Sequence, residues 1–137
     1  MLRALALGQC QPVSLDRLID CLWPEEQPER PSDQVSVLAS RLRSVLGSER
    51  VARSDAGYRL QSVWIDLMAA EELAAEAERR LAAGQPALAA TAATAGLALV
   101  RGPLLSDEPE ASWADLDRQS AERTVAHLRL MRAEAAL

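Results

Sequence analysis

The sequence predicts a mainly α-helical chain carrying one short β-hairpin, and three observations predict it. Between Asp33 and Leu46, residues Val35, Leu38, Ala39, Leu42, Val45 and Leu46 recur at i, i+3, i+4 and i+7, which gathers them on one face of an amphipathic helix. Glu49 to Gln61 then reads as two short strands around Ser54-Asp55-Ala56-Gly57, a turn whose glycine can supply positive φ. Beyond Asp66 the chain is rich in Ala, Leu and Glu at helical spacing, in segments punctuated by Gly84, Pro86 and Gly102-Pro103. A helix followed at once by an arginine-bearing hairpin is the arrangement of a winged helix.

In the first half, Met1 to Leu7 is a short apolar segment that reads as the end of a helix stopping at Gly8. Ser14 is placed to cap a second helix in which Leu15, Leu18, Ile19 and Leu22 share a face, and Pro24 stops it. Pro24 to Pro31 holds three prolines and three glutamates, so it reads as an exposed acidic loop rather than regular structure. Gly47 closes the helix of residues 33–46 as a C′ residue. Opposite its apolar stripe that helix carries Asp33, Ser36, Val37, Ser40 and Ser44, with Arg41 and Arg43 on the flanks. Such a face suits a DNA major groove: serine reaches base edges or phosphates, arginine bonds guanine or phosphate, and the methyls of Val37 can meet a thymine methyl. An ordinary solvated helix face would look similar.

In the second half, Asp66 is expected to cap a helix from Leu67 to about Ala83, with Leu67, Ala70, Leu73, Ala74, Ala77 and Leu81 as its inner stripe. A helix from Pro86 to Val100 should turn Leu88, Ala92, Ala95 and Leu99 inward. Joined by a Gly-Gln-Pro turn, the two form an αα-hairpin like one tetratricopeptide repeat. After a loop to Ala111, Ser112 is expected to cap a long helix, with Asp115 in a capping-box-like relation and Trp113, Leu116, Val125, Leu128 and Met131 buried. Trp64, in the short connection between the halves, is expected to be buried.

Composition narrows the function. The chain has 137 residues, 49% of them hydrophobic, but only 3% are aromatic and none is Phe, so its cores must be built from Leu, Val and Ala with helices packed closely. The net charge of −5 argues against a protein that coats nucleic acid regardless of sequence. Its distribution is uneven: residues 1–60 hold eight arginines and eight acids, residues 61–137 seven arginines and twelve acids. Between 41 and 59, five arginines face only Glu49 and Asp55, a small basic patch on an acidic chain. A single histidine, His127, with no cysteine pair at metal spacing and no glycine-rich phosphate loop leaves no basis for a catalytic or metal site, so neither enzyme activity nor a cofactor is expected. Cys10 and Cys21 read as reduced, in keeping with a cytoplasmic protein, and no apolar run is long enough to span a bilayer.

The run from Pro12-Val13-Ser14 through Leu18 and Leu22-Trp23, then Ser40-Arg41-Leu42-Arg43, Leu46-Gly47 and Gly57-Tyr58-Arg59-Leu60, resembles the OmpR-type winged-helix domain, in the form that opens the Streptomyces antibiotic regulatory protein (SARP) family of transcriptional activators. Leu99 to Leu105 and Trp113 resemble the bacterial transcriptional activation domain that follows it in that family. The resemblance implies a truncated winged helix-turn-helix domain over residues 1–62, lacking its N-terminal sheet, and an incomplete tetratricopeptide-like activation domain over residues 63–137. It implies a sequence-specific regulator of transcription, an activator, reading direct repeats in double-stranded DNA as tandem monomers or a homodimer. Ser36, Val37, Ser40, Arg41 and Ser44 would then line the groove, Arg43 would hold phosphate, and Arg53 would touch the minor groove or backbone. Glu25, Glu26 and Glu29, in the loop before the recognition helix, would contact RNA polymerase. The competing expectation is an adaptor whose winged helix no longer binds DNA and whose acidic helical half docks a protein.

Overall fold

The computed structural model describes residues 1–137, and they divide into two compact units, Met1–Val63 and Trp64–Leu137. The first contains helices α1 (Leu2–Leu7), α2 (Leu15–Leu22) and α3 (Pro31–Leu46) and strands β1 (Val51–Ser54) and β2 (Gly57–Leu60). Ser14 caps α2 by accepting the Arg17 N–H at 3.2 Å. Helix α3 begins at Pro31, two residues ahead of the expected Asp33, because proline at the first helical position has no N–H to leave unpaired. It ends at Gly47, whose φ of +104° suits glycine and whose N–H bonds the Arg43 carbonyl at 2.9 Å. Leu5, Leu18, Ile19, Val35, Ala39, Val51, Tyr58 and Leu60 are buried and form the core of this unit. Val45, expected on the inner stripe of α3, is instead 81% exposed. It lies at the edge of that stripe, and the half-buried Leu42 and Leu46 face the core in its place.

The hairpin pairs Val51 with Leu60 and Arg53 with Tyr58, and Asp55-Ala56 make its two-residue tip. It has a third partner that the sequence did not announce. Val13 and Tyr58 exchange two backbone hydrogen bonds, 2.7 and 3.0 Å long, so the segment before α2 pins the hairpin like an extra edge strand. Gly57 is what permits this: at φ +127° a Cβ there would lie 2.0 Å from the Val13 carbonyl oxygen.

The second unit contains α4 (Asp66–Ala82), α5 (Pro86–Leu99) and α6 (Asp115–Glu134). Ala74, Ala77, Ala92, Ala93, Leu128 and Met131 form its buried cluster, with Leu73, Leu81 and Leu97 packed around it. Small residues set the spacing. Gly96 is buried, and a Cβ there would come within 2.7 Å of Leu128, so α5 and α6 approach at a glycine. The inner face of α5 is Ala89, Ala92, Ala93 and Gly96, whereas Leu88, 50% exposed, and Ala95 point outward. The expected face was rotated because nearly every residue of α5 is apolar, which leaves size rather than polarity to select the packed side. Asp66 is the first residue of α4 rather than its cap, and its carboxylate accepts the Leu67 N–H at 2.9 Å. Ser112 does not cap α6 either. Residues 112–114 form a single 3-10 turn that buries Ala114, α6 starts at Asp115, and Leu116 is left 74% exposed. Trp64 is 71% exposed, contrary to expectation.

Candidate nucleic-acid interface

Because Val35 and Ala39 anchor α3 in the core, its opposite face is fixed outward. Ser36, Val37, Ser40, Arg41 and Ser44 are all exposed along it, with Asp33 at its start. The hydroxyls of Ser36 and Ser44 donate to the carbonyls of Ser32 and Ser40, each at 3.1 Å, which folds both side chains flat against the helix and leaves their oxygens as acceptors. The face is therefore shallow, with no long side chain but Arg41. Arg41 has no carboxylate partner, and 45% of Val37 is exposed between the serines. A surface of this shape lets a second macromolecule approach the helix backbone closely.

Arg43 has a different position from the one its spacing suggests. It is half-buried, its Nε donates to the Val51 carbonyl at 3.0 Å, and its guanidinium carbon lies 6.0 Å from the Tyr58 ring centroid. It thus ties the last turn of α3 to β1. Arg53 stands on the hairpin with its guanidinium carbon 5.5 Å from the same ring. The remaining arginines of the patch are partly engaged: Arg50 faces Glu49 at 3.7 Å and Arg59 donates to Gln61 at 3.4 Å. Gln61 in turn donates to the Glu49 carbonyl at 2.7 Å, closing the base of the hairpin. Glu25, Glu26 and Glu29 are exposed in irregular chain between α2 and α3, apart from the serine face in sequence and free of regular structure.

Spacing did not reveal Val13 and Tyr58 as the anchors of the hairpin. The alternation in Gly57-Tyr58-Arg59-Leu60 does mark Tyr58 and Leu60 as inward residues, but their partner before α2 is a tertiary fact.

A helix joined to a pinned hairpin, followed by antiparallel helices of the tetratricopeptide kind, defines the class as a winged helix with a helical second unit. Residues 65–137 match the bacterial transcriptional activator domain family, and the chain belongs to it, as a SARP-type regulator of transcription. It is 35% identical over 124 residues to the regulatory protein AfsR of Streptomyces griseus, covering 89% of this chain and 13% of that protein. With AfsR of Streptomyces coelicolor it shares 33% over 112 residues, or 80% of this chain and 11% of the relative. Among solved structures, Mycobacterium tuberculosis EmbR, determined in complex with a low affinity phosphopeptide, superimposes with a TM-score of 0.85 at 25% identity, covering 97% of this chain and 38% of that one. The chain thus spans a small part of the length of these relatives.

Proposed function

We propose that this chain is the sequence-reading part of a transcriptional activator, with residues 1–62 as the winged-helix DNA-binding domain and residues 63–137 as part of the activation domain. The observation that carries the proposal is the outward face of α3: shallow, serine-lined, with an unpaired Arg41, beside an arginine-bearing hairpin held to the same core. In the major groove, Arg41 is placed to bond guanine through both its terminal nitrogens. Ser36, Ser40 and Ser44 accept from exocyclic amino groups, and Val37 meets thymine methyls. The hairpin lies over the backbone or the adjacent minor groove, where Arg53 neutralises phosphate. Glu25, Glu26 and Glu29 offer an acidic patch to RNA polymerase, and recognition of a direct repeat would bring two copies side by side.

Selection of duplexes from a random library, followed by anisotropy titration at two salt concentrations, tests the reading. Saturable binding that survives competitor DNA is expected; no binding even at low salt would end it.

One observation favours a second reading, a protein-docking adaptor. In the second unit, an open groove of about 1240 Å³ runs between α4, the end of α5, the loop after it and α6, walled by Leu67, Ala70, Leu99, Leu104 and Val125. Arg118 braces its floor by donating to the carbonyls of Leu104, Glu108 and Ala111 at 3.3, 2.5 and 2.8 Å. A chain that bound no DNA but retained partner binding in this unit would fit that reading.

A further inference from the structure

Six charged residues line the groove of the second unit, and four of them are already paired within the chain. Asp66 meets Arg101 at 3.4 Å, and Asp115 meets Arg118 at 2.9 Å. The other two, Glu122 and Arg129, are exposed on α6 with neither a hydrogen bond nor an ion pair. Seven residues apart, they stand on one face of α6 about 10 Å from each other, with Val125 between them. Leu67, Ala70, Leu99 and Leu104 supply the other walls. The groove is thus apolar in its middle and holds one free acid and one free base at a fixed separation.

Size and chemistry select the occupant. At about 1240 Å³ the groove exceeds the roughly 300–1,000 Å³ of small-molecule sites, and the stretch of α6 that lines it, Asp115 to Arg129, is about 21 Å long. An extended peptide needs partners for its backbone, and these walls offer no strand edge. Four of the five N–H groups of Arg118 are already given to the carbonyls of Leu104, Glu108 and Ala111 and to Asp115. A helix satisfies its own backbone and needs only side-chain contact from the wall. We infer that the groove binds an amphipathic α-helix of a partner protein. Its apolar stripe packs on Leu67, Leu104 and Val125, while a basic residue faces Glu122 and an acidic residue two turns away faces Arg129. Sliding that helix by one turn separates both pairs, and reversing it sets like charges together, so the free acid and base decide which helices fit and in which direction. All of these residues belong to the second unit. The inference therefore does not rest on DNA binding by residues 1–62, and it goes beyond both readings above, since an activator and an adaptor would use the groove alike.

The test is selection of displayed peptides against the full chain. The probes are about 18 residues long, with leucine at every third or fourth position and the remaining positions random. Enriched peptides are expected to carry Lys or Arg and, seven residues away on the same flank, Asp or Glu. A fluorescein-labelled winner then reads the register by anisotropy. Exchanging its two charges should weaken binding about tenfold, and the double variant Glu122→Arg with Arg129→Glu should prefer the exchanged peptide by a similar factor. Both residues are exposed, so the double variant keeps the fold, which an unchanged thermal midpoint checks. Val125→Asp should weaken both peptides alike. Failure to enrich any peptide, enrichment without the charge pair, or winners that bind the double variant as tightly as the unaltered chain would overturn the inference. So would dimers of the chain that form with rising concentration, compete with the peptide and disappear in Glu122→Arg, since the groove would then belong to a second copy.

Discussion

At the scale of single residues, Arg41 and Arg43 show how two identical side chains two positions apart come to different ends. Arg41 projects from the outward face of α3 with no partner, whereas Arg43 turns back to the Val51 carbonyl. Arg41→Ala should therefore weaken binding to a selected duplex by about 1–3 kcal/mol and relax preference at one base pair, leaving affinity for random DNA nearly unchanged. Equal losses on selected and random duplexes would remove the base-reading role. The helical wheel was enough to put both arginines on the flanks of the serine face. It could not show which flank meets β1, because that depends on where the hairpin docks. Val45 and Leu116 failed for a related reason: each sits at an edge of its apolar pattern, where the nearest covering element decides exposure.

At the scale of elements, the hairpin depends on one close approach. Replacing Gly57 would force a Cβ against the Val13 carbonyl and hold a side chain at φ +127°, two penalties that no rotamer relieves. Gly57→Ala should cost roughly 2–4 kcal/mol, seen as a lowered midpoint in denaturant unfolding, while Ser14→Ala, which removes only the cap of α2, should cost about 1 kcal/mol. A neutral Gly57→Ala would mean that the Val13–Tyr58 bridge does not form. Helix α4 carries a different device. Hydrogen bonds from Arg79 and then Arg80 hold the Glu76 carboxyl below its ordinary value of 4.5. The folded state therefore binds the proton less readily than the unfolded chain does. The contribution of Glu76 to stability is complete above the ordinary value and disappears as pH falls through the lowered one. Glu76→Gln should flatten that part of the acid limb of a stability-against-pH curve, and an unaltered limb would show the network to be inert. Caps, turns and breakers made α2, α3, the hairpin and α4 readable in the sequence, since each has a local chemical signal. Helix α5 was readable in extent but not in orientation, because fourteen mostly apolar residues give no polar side to turn outward.

At the scale of the whole chain, charge decides how DNA would be bound. An acidic chain of net charge −5, with five of its fifteen arginines between 41 and 59 and an excess of acids beyond residue 60, cannot draw affinity from a broad electrostatic surface. In the proposed complex Arg41 would be directed at bases; Arg50 faces Glu49 and Arg59 donates to Gln61, which would leave Arg43 and Arg53 with a few backbone amides for phosphate. Counter-ion release from about three or four phosphates gives a slope of roughly −3 to −4 in log affinity against log salt concentration, shallow for a DNA-binding protein. Specific binding should then fall only by about two orders of magnitude between 50 and 200 mM salt, and random DNA should hardly be bound at the upper value. The measurement is a salt series on selected and random duplexes with the same protein. A slope of −8 or steeper would require phosphate contacts well beyond the hairpin and the serine face, and would show that acidic composition does not limit the interface.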